Sequence, residues 1–214
     1  MKPQSKTYRL FSCLLLLILV VSVACSSDDN TLGDEDHLID GSGYFSMKLD
    51  GEVWSADVAY ISTIGGPEWW DEDDEHLYLV TINATKYLDD SEDSENAEIF
   101  AITLVISEEK FTNPKDNYLA PPPDNNDEAG YSWAHYASTT DNISFMSLDP
   151  SDESRLVGST TITDFKIGNQ SFLGEGYVSL SGNFEYEVFG WDQNSDEFIR
   201  KKATEGSFNV TNPY

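Results

Sequence analysis

Aromatic and acidic side chains dominate the chemistry open to this 214-residue chain. Trp69 and Trp70 follow Gly65-Gly66-Pro67, a turn-forming stretch that places both indoles in a loop. Tyr131 and Trp133 follow a long excursion, 111–130, that contains Pro121-Pro122-Pro123. Loops of that length are often functional. Flat exposed rings stack on sugar rings, and neighbouring carboxylates accept hydroxyl hydrogens. Trp69, Trp70, Tyr131 and Trp133 are therefore the expected glycan-binding residues. The competing expectation is burial, since tryptophan is mostly a core residue.

The acids come in runs: Asp71-Glu72-Asp73-Asp74-Glu75, then 89–95, 124–128, 149–153 and 192–197. All fall between predicted strands. Crowded carboxylates repel one another, and a hard cation with six to eight oxygen ligands relieves them. This makes Asp71, Asp73, Asp74, Asp127 and Asp149 the expected ligands of a calcium ion. No other cofactor is required. None of the runs is an EF-hand. Asp124-x-Asn126-x-Glu128 lacks the following glycine, and its twelfth position is His135. The alternative is a set of solvated acidic loops.

Motifs of catalysis are absent. The sequence holds no Gly-x-Ser-x-Gly elbow, no His-Glu-x-x-His pair and no P-loop. The three histidines, His37, His76 and His135, are far apart. Each reads as a solvated or half-buried ring rather than a base. No catalytic residue is expected, and a hydrolase is the weakest of the functional readings.

Charge narrows the partners. There are 39 acidic residues against 12 basic ones, a net charge of -27. Nucleic-acid binding rests on phosphate neutralisation, so no nucleic acid is expected as a partner. The one basic cluster, Arg200-Lys201-Lys202, reads as a counterweight to nearby acids.

The N-terminus reads as an export signal. Lys2, Lys6 and Arg9 precede a 15-residue apolar run, Leu10 to Ala24. A spanning helix needs about 20 apolar residues, and Ser26-Ser27-Asp28-Asp29 end this run abruptly, as in a cleavable leader. Ser22-Val23-Ala24-Cys25 resembles the lipobox of bacterial lipoproteins, although Ser22 stands where leucine is usual. The resemblance implies cleavage after Ala24 and lipid attachment at Cys25, anchoring the chain in a membrane. Cys25-Ser26-Ser27-Asp28-Asp29-Asn30 is similar to the acidic export signal that sends Bacteroidetes lipoproteins to the outer face of the outer membrane. Both cysteines, Cys13 and Cys25, lie in this region, so the remainder has no disulfide.

The expected organisation is a signal peptide at 1–24, an acidic flexible tether at 25–42, and one domain at 43–214. That domain reads as all-β. Phe45, Met47 and Leu49 alternate with polar residues, and Asp50-Gly51 supplies a two-residue hairpin turn. Pairing across it sets Met47 against Trp54 and Phe45 against Ala56, with Val58 and Tyr60 continuing the same face. Further strands are expected at 76–87, 97–107, 131–138, 142–148, 156–167, 171–180, 184–191 and 197–211. Phe100, Ile102, Leu104 and Ile106 form an inward stripe, with Ile99 and Val105 behind it, as in a central strand. Gly182 lies between two apolar runs. A three-residue loop from Ser181 to Asn183 matches Leu180 with Phe184, and a single bent strand keeps the same parity. Trp54 belongs to the core, whereas Trp191 ends a strand and fits either environment. About nine or ten antiparallel strands imply a β-sandwich, with a β-barrel as the alternative.

The opening Phe45-Ser-Met-Lys-Leu-Asp-Gly-Glu-Val-Trp-Ser-Ala56 and the closing Gly182-Asn183-Phe184 and Thr204-Glu205-Gly206-Ser207-Phe208 resemble a group of uncharacterised Bacteroidetes lipoproteins with a β-rich domain of unknown function. The shared features are turn glycines and inward aromatics. The resemblance implies an extracytoplasmic β domain and carries no catalytic residue across. The function expected is a lipid-anchored, cell-surface outer-membrane protein with a non-enzymatic binding domain. The alternative is a carbohydrate-binding accessory lipoprotein of a polysaccharide uptake system.

Overall fold

The computed structural model describes residues 42–65, 77–89, 96–120, 129–140, 143–149, 157–171, 174–192 and 197–212. All belong to one compact unit, Leu38–Tyr214. The architecture is all-β. Eleven strands run β1 Ser42–Leu49, β2 Glu52–Ser55, β3 Val58–Gly65, β4 Leu77–Tyr87, β5 Ala97–Ser107, β6 Asn117–Leu119, β7 Ser132–Ser138, β8 Ile143–Met146, β9 Gly158–Ser171, β10 Gly174–Asp192 and β11 Glu197–Thr211. A four-residue helix, α1 Glu108–Phe111, follows β5.

The strands form one antiparallel sheet in the order β2-β1-β11-β10-β8-β7-β5-β4-β3. Strand β9 pairs with β10 and with β6. The sheet does not close into a barrel. It folds so that β3, β4 and β5 share one core with β1, β10 and β11, as a sandwich does. Phe45 sits at the centre. Its ring centroid is 4.9 Å from Phe184, 5.9 Å from Phe100, 6.0 Å from Trp54 and 6.2 Å from Phe208. Burying each such side chain stabilises the fold by roughly 1.5–3 kcal/mol.

The first hairpin follows its turn chemistry. Asp50 and Gly51 both have positive φ, 53° and 89°, as a type I′ turn requires. Met47 faces Trp54, and Ala56 N–H donates to the Phe45 carbonyl. Both Met47 and Trp54 are buried. The expectation that Val58 and Tyr60 continue this face is overturned, for Ala59 and Ile61 are the buried residues. The phase changes at Asp57, which leaves β2 and caps β4 instead. Its N–H donates to the Thr85 carbonyl, and its carboxylate accepts the Tyr87 N–H at 2.8 Å. Strand β3 thus starts afresh on the opposite edge of the sheet, beside β4.

The expected loop at Ser181 to Asn183 does not form. Residues 174–192 are one strand, and the parity of Val178, Leu180, Phe184, Tyr186 and Val188, all buried, runs through Gly182. A Cβ there would lie 2.4 Å from the Thr161 carbonyl oxygen and 2.7 Å from Phe208 Cζ. The glycine serves close approach of chains rather than a turn. In β11 a bulge at Glu205, φ 53°, shifts the inward residue from Ala203 to Phe208 and Val210.

Strand β5 is central, between β4 and β7, and Phe100, Ile102, Leu104 and Ile106 are fully buried. The excursion after it is partly structured. The Phe111 ring stacks 4.0 Å from Tyr78 and lies 4.8 Å from Tyr177, whose hydroxyl donates to the Phe111 carbonyl. Tyr118, in β6, donates to the Pro114 carbonyl at 2.9 Å.

Candidate functional site

Three clusters of polar or aromatic side chains could carry chemistry, and the strand faces decide which do. The first is buried. Thr160, Tyr186, Ser132 and the Tyr118 carbonyl form a chain of hydrogen bonds of 2.8, 2.5 and 2.7 Å. Ser132 spends its only proton on the carbonyl, so it accepts from Tyr186, which in turn accepts from Thr160. Every hydroxyl is committed, and burial pushes the Tyr186 phenol up from its ordinary value. This is a satisfied core network that fixes β6, β7, β9 and β10 together.

The second cluster closes the core where β4 ends and β5 begins. Glu98 accepts from Trp54 Nε1 at 2.7 Å and from the Tyr136 hydroxyl at 2.8 Å, and Lys86 lies 3.5 Å away. Lys201 Nζ stands 5.5 Å from the ring centroids of both Tyr136 and Phe145. Phe145 packs against Gly190 of β10. These contacts tie the inner sides of β8, β10 and β11 together at these ends.

The third cluster lies on the other side of that same region, the face turned away from the core. The ladders set Arg200, Phe189, Met146, His135 and Ala101 in one unbroken cross-strand row. Beside it, Trp191 of β10 pairs with Phe198 of β11. Their rings make an edge-to-face contact, centroids 4.7 Å apart at 70°, and remain 43 % and 55 % exposed. Asp192 pairs with Glu197 one step further on, and strand alternation turns that acidic pair to the opposite face. The Asp192–Glu197 pair therefore does not share the face of the two rings.

His135 lies buried in this face, contrary to the expectation of a solvated or half-buried ring. Its Nε2 is 2.6 Å from Ser144 Oγ, and Nδ1 has no hydrogen-bond partner. A serine beside a histidine is the geometry of an activated nucleophile, yet the ring is set for another role. Burial lowers its pKa to about 4, far from the neutral value a general base needs. No carboxylate orients Nδ1. A bare buried acceptor costs less than an orphaned N–H, which leaves the proton on Nε2, donating to Ser144. That tautomer cannot take the serine's proton.

Of the residues expected to bind, Trp69, Trp70, Asp71, Asp73, Asp74 and Asp127 lie outside the described residues, as do Cys25, His37 and His76. Tyr131 and Trp133 are both half-buried. Trp133 shares the outer face of β7 with His135, while Tyr131 forms a bridge with Leu119. Asp149 is buried, at 3 % exposure, rather than on a solvated loop. Among the described residues no three His, Cys, Asp or Glu side chains gather as a metal site. Sequence reasoning left Trp191 open and missed Phe198. The signal was present, since a hairpin through 192–197 sets residue 191 against 198 and leaves only the choice of face.

No family model, curated protein or solved structure matches this chain.

Proposed function

We propose that this chain is an outer-membrane lipoprotein, held through acylated Cys25 and displayed on the cell surface, whose β domain binds rather than catalyses. The leader, the lipobox-like Ser22-Val23-Ala24-Cys25 and the acidic residues after it support the anchor. Two or more acyl chains hold a protein stably where one does not. The observation that carries the binding role is the exposed Trp191–Phe198 pair. Among the exposed large apolar side chains of the described residues, these two are in ring contact, and contiguous exposed apolar surface marks interaction sites. Replacing Cys25 with Ala should release the protein from membranes; continued membrane association defeats the anchor. Protease added to intact cells should digest the domain, and full protection defeats surface display.

The second reading is carbohydrate binding. The same pair favours it, because exposed aromatic rings at a strand end suit stacking on sugar rings. A glycan array probed with the full-length protein in detergent tests it, with loss of signal expected for Trp191→Ala. Calcium binding at Asp71, Asp73, Asp74, Asp127 and Asp149 stands as a separate proposal. It requires the melting midpoint to rise in calcium over chelator, since a native-state ligand stabilises by mass action.

A further inference from the structure

Arg200-Lys201-Lys202 is the one run of consecutive bases in the chain, and its members divide between the two faces of β11. Lys201 turns inward over Tyr136 and Phe145. Arg200 and Lys202 turn outward, on the face of Phe198. Arg200 is opposite Phe189 and two residues from Phe198, about 7 Å along the strand. Its guanidinium is 59 % exposed and 3.8 Å from Glu187, long for an ion pair. A carboxylate ligand could therefore compete for its outer fork. Two exposed rings with an arginine two residues along the same strand face are complementary to a sugar ring that bears its own negative charge.

We propose that the sugar taken up on Trp191 and Phe198 carries a carboxylate, as uronic and sialic acids do, and that Arg200 binds this group through paired N–H donors. The inference rests on the carbohydrate reading above and names the ligand's chemical class. Arginine is the side chain suited to this recognition because its planar fork matches a carboxylate's two oxygens. In a chain of net charge -27, the outward Arg200 and Lys202, with Glu187 opposite Lys202, weaken the general repulsion of anions at this place. Lys202 adds attraction without the fork.

The test uses the full-length protein in detergent micelles. Its probes are oligogalacturonate and sialyllactose, their methyl esters, and the neutral parent oligosaccharides. The expected result is binding to the free acids, at least about tenfold weaker binding to the methyl esters, and a similar loss for Arg200→Gln. Arg200→Lys should fall between, with circular dichroism melts showing the variants folded. Equal binding to acids, esters and neutral parents overturns the inference while leaving the carbohydrate reading in place. So does an Arg200→Gln variant that binds the acids unchanged. Failure of every probe, charged or neutral, overturns the carbohydrate reading and this inference with it.

Discussion

Asn212 and Ile61, 151 positions apart, are joined by two hydrogen bonds. The Asn212 carboxamide oxygen accepts the Ile61 N–H at 2.7 Å, and its nitrogen donates to the Ile61 carbonyl at 2.8 Å. The side chain acts as a peptide unit and completes the outer edge of β3, while the Asn212 N–H donates to Val178 in β10. One residue thus stitches the β3 edge of the sheet to β10 in its interior. Asn212→Ala should cost about 1–3 kcal/mol, because two half-buried backbone groups lose partners. Asn212→Asp should also destabilise, since it sets a carboxylate against the Ile61 carbonyl. Urea unfolding measures both, and midpoints equal to wild type would show that the stitch carries no stability.

Gly182→Ala should be among the most damaging single changes. The added methyl meets the Thr161 carbonyl oxygen at 2.4 Å and the Phe208 ring at 2.7 Å, so the β9 backbone and the Phe208 ring must both give way. Overpacking of this kind typically costs about 1–3 kcal/mol, and backbone displacement raises it. A thermal melt showing a variant as stable as the parent would count against an unbroken β10.

His135 should make stability depend on pH. Its pKa is about 4 when folded and 6.5 when exposed, owing to burial. Between these values the unfolded chain holds a proton that the folded one refuses. The stabilisation is complete above about pH 6.5 and is lost as pH falls toward 4, by at most ~3 kcal/mol. Carboxylate protonation acts over a neighbouring range, so the readout is the difference between wild type and His135→Gln. That difference should shrink as pH drops; parallel curves would remove the histidine from the account.

Trp191 and Phe198 should be coupled but dispensable for folding. A double-mutant cycle to Ala is expected to give about 0.5–1.5 kcal/mol of interaction, toward the low end because both rings are exposed. Each single variant should melt near wild type. A large loss in either one would mean that the pair is a structural plug rather than a binding surface.

Local chemistry made much of the fold legible. Asp50-Gly51 specified its own turn and the Met47–Trp54 register, and the Phe100 to Ile106 stripe identified a central strand. What escaped reading was set by distant partners. Gly182 looks like turn punctuation until Thr161 and Phe208 are seen against it. The phase of β3 changed because Asp57 found Thr85 and Tyr87, about 30 residues on. Strand β6 is three residues long, too short for any period to register. The face proposed for binding was legible only in pieces. Trp133 was singled out, but Trp191, Phe198 and Arg200 meet through the choice of strand face, which depends on the bulge at Glu205 and the unbroken β10.

The first and last strands are neighbours, with Ser42 paired to Thr211. Phe198 lies 13 positions from Thr211 along β11, toward its other end. At about 3.3 Å per residue, roughly 40 Å separate the point where the chain enters the sheet from the two exposed rings. The rings thus stand at the end of β11 opposite the one that pairs with the start of β1.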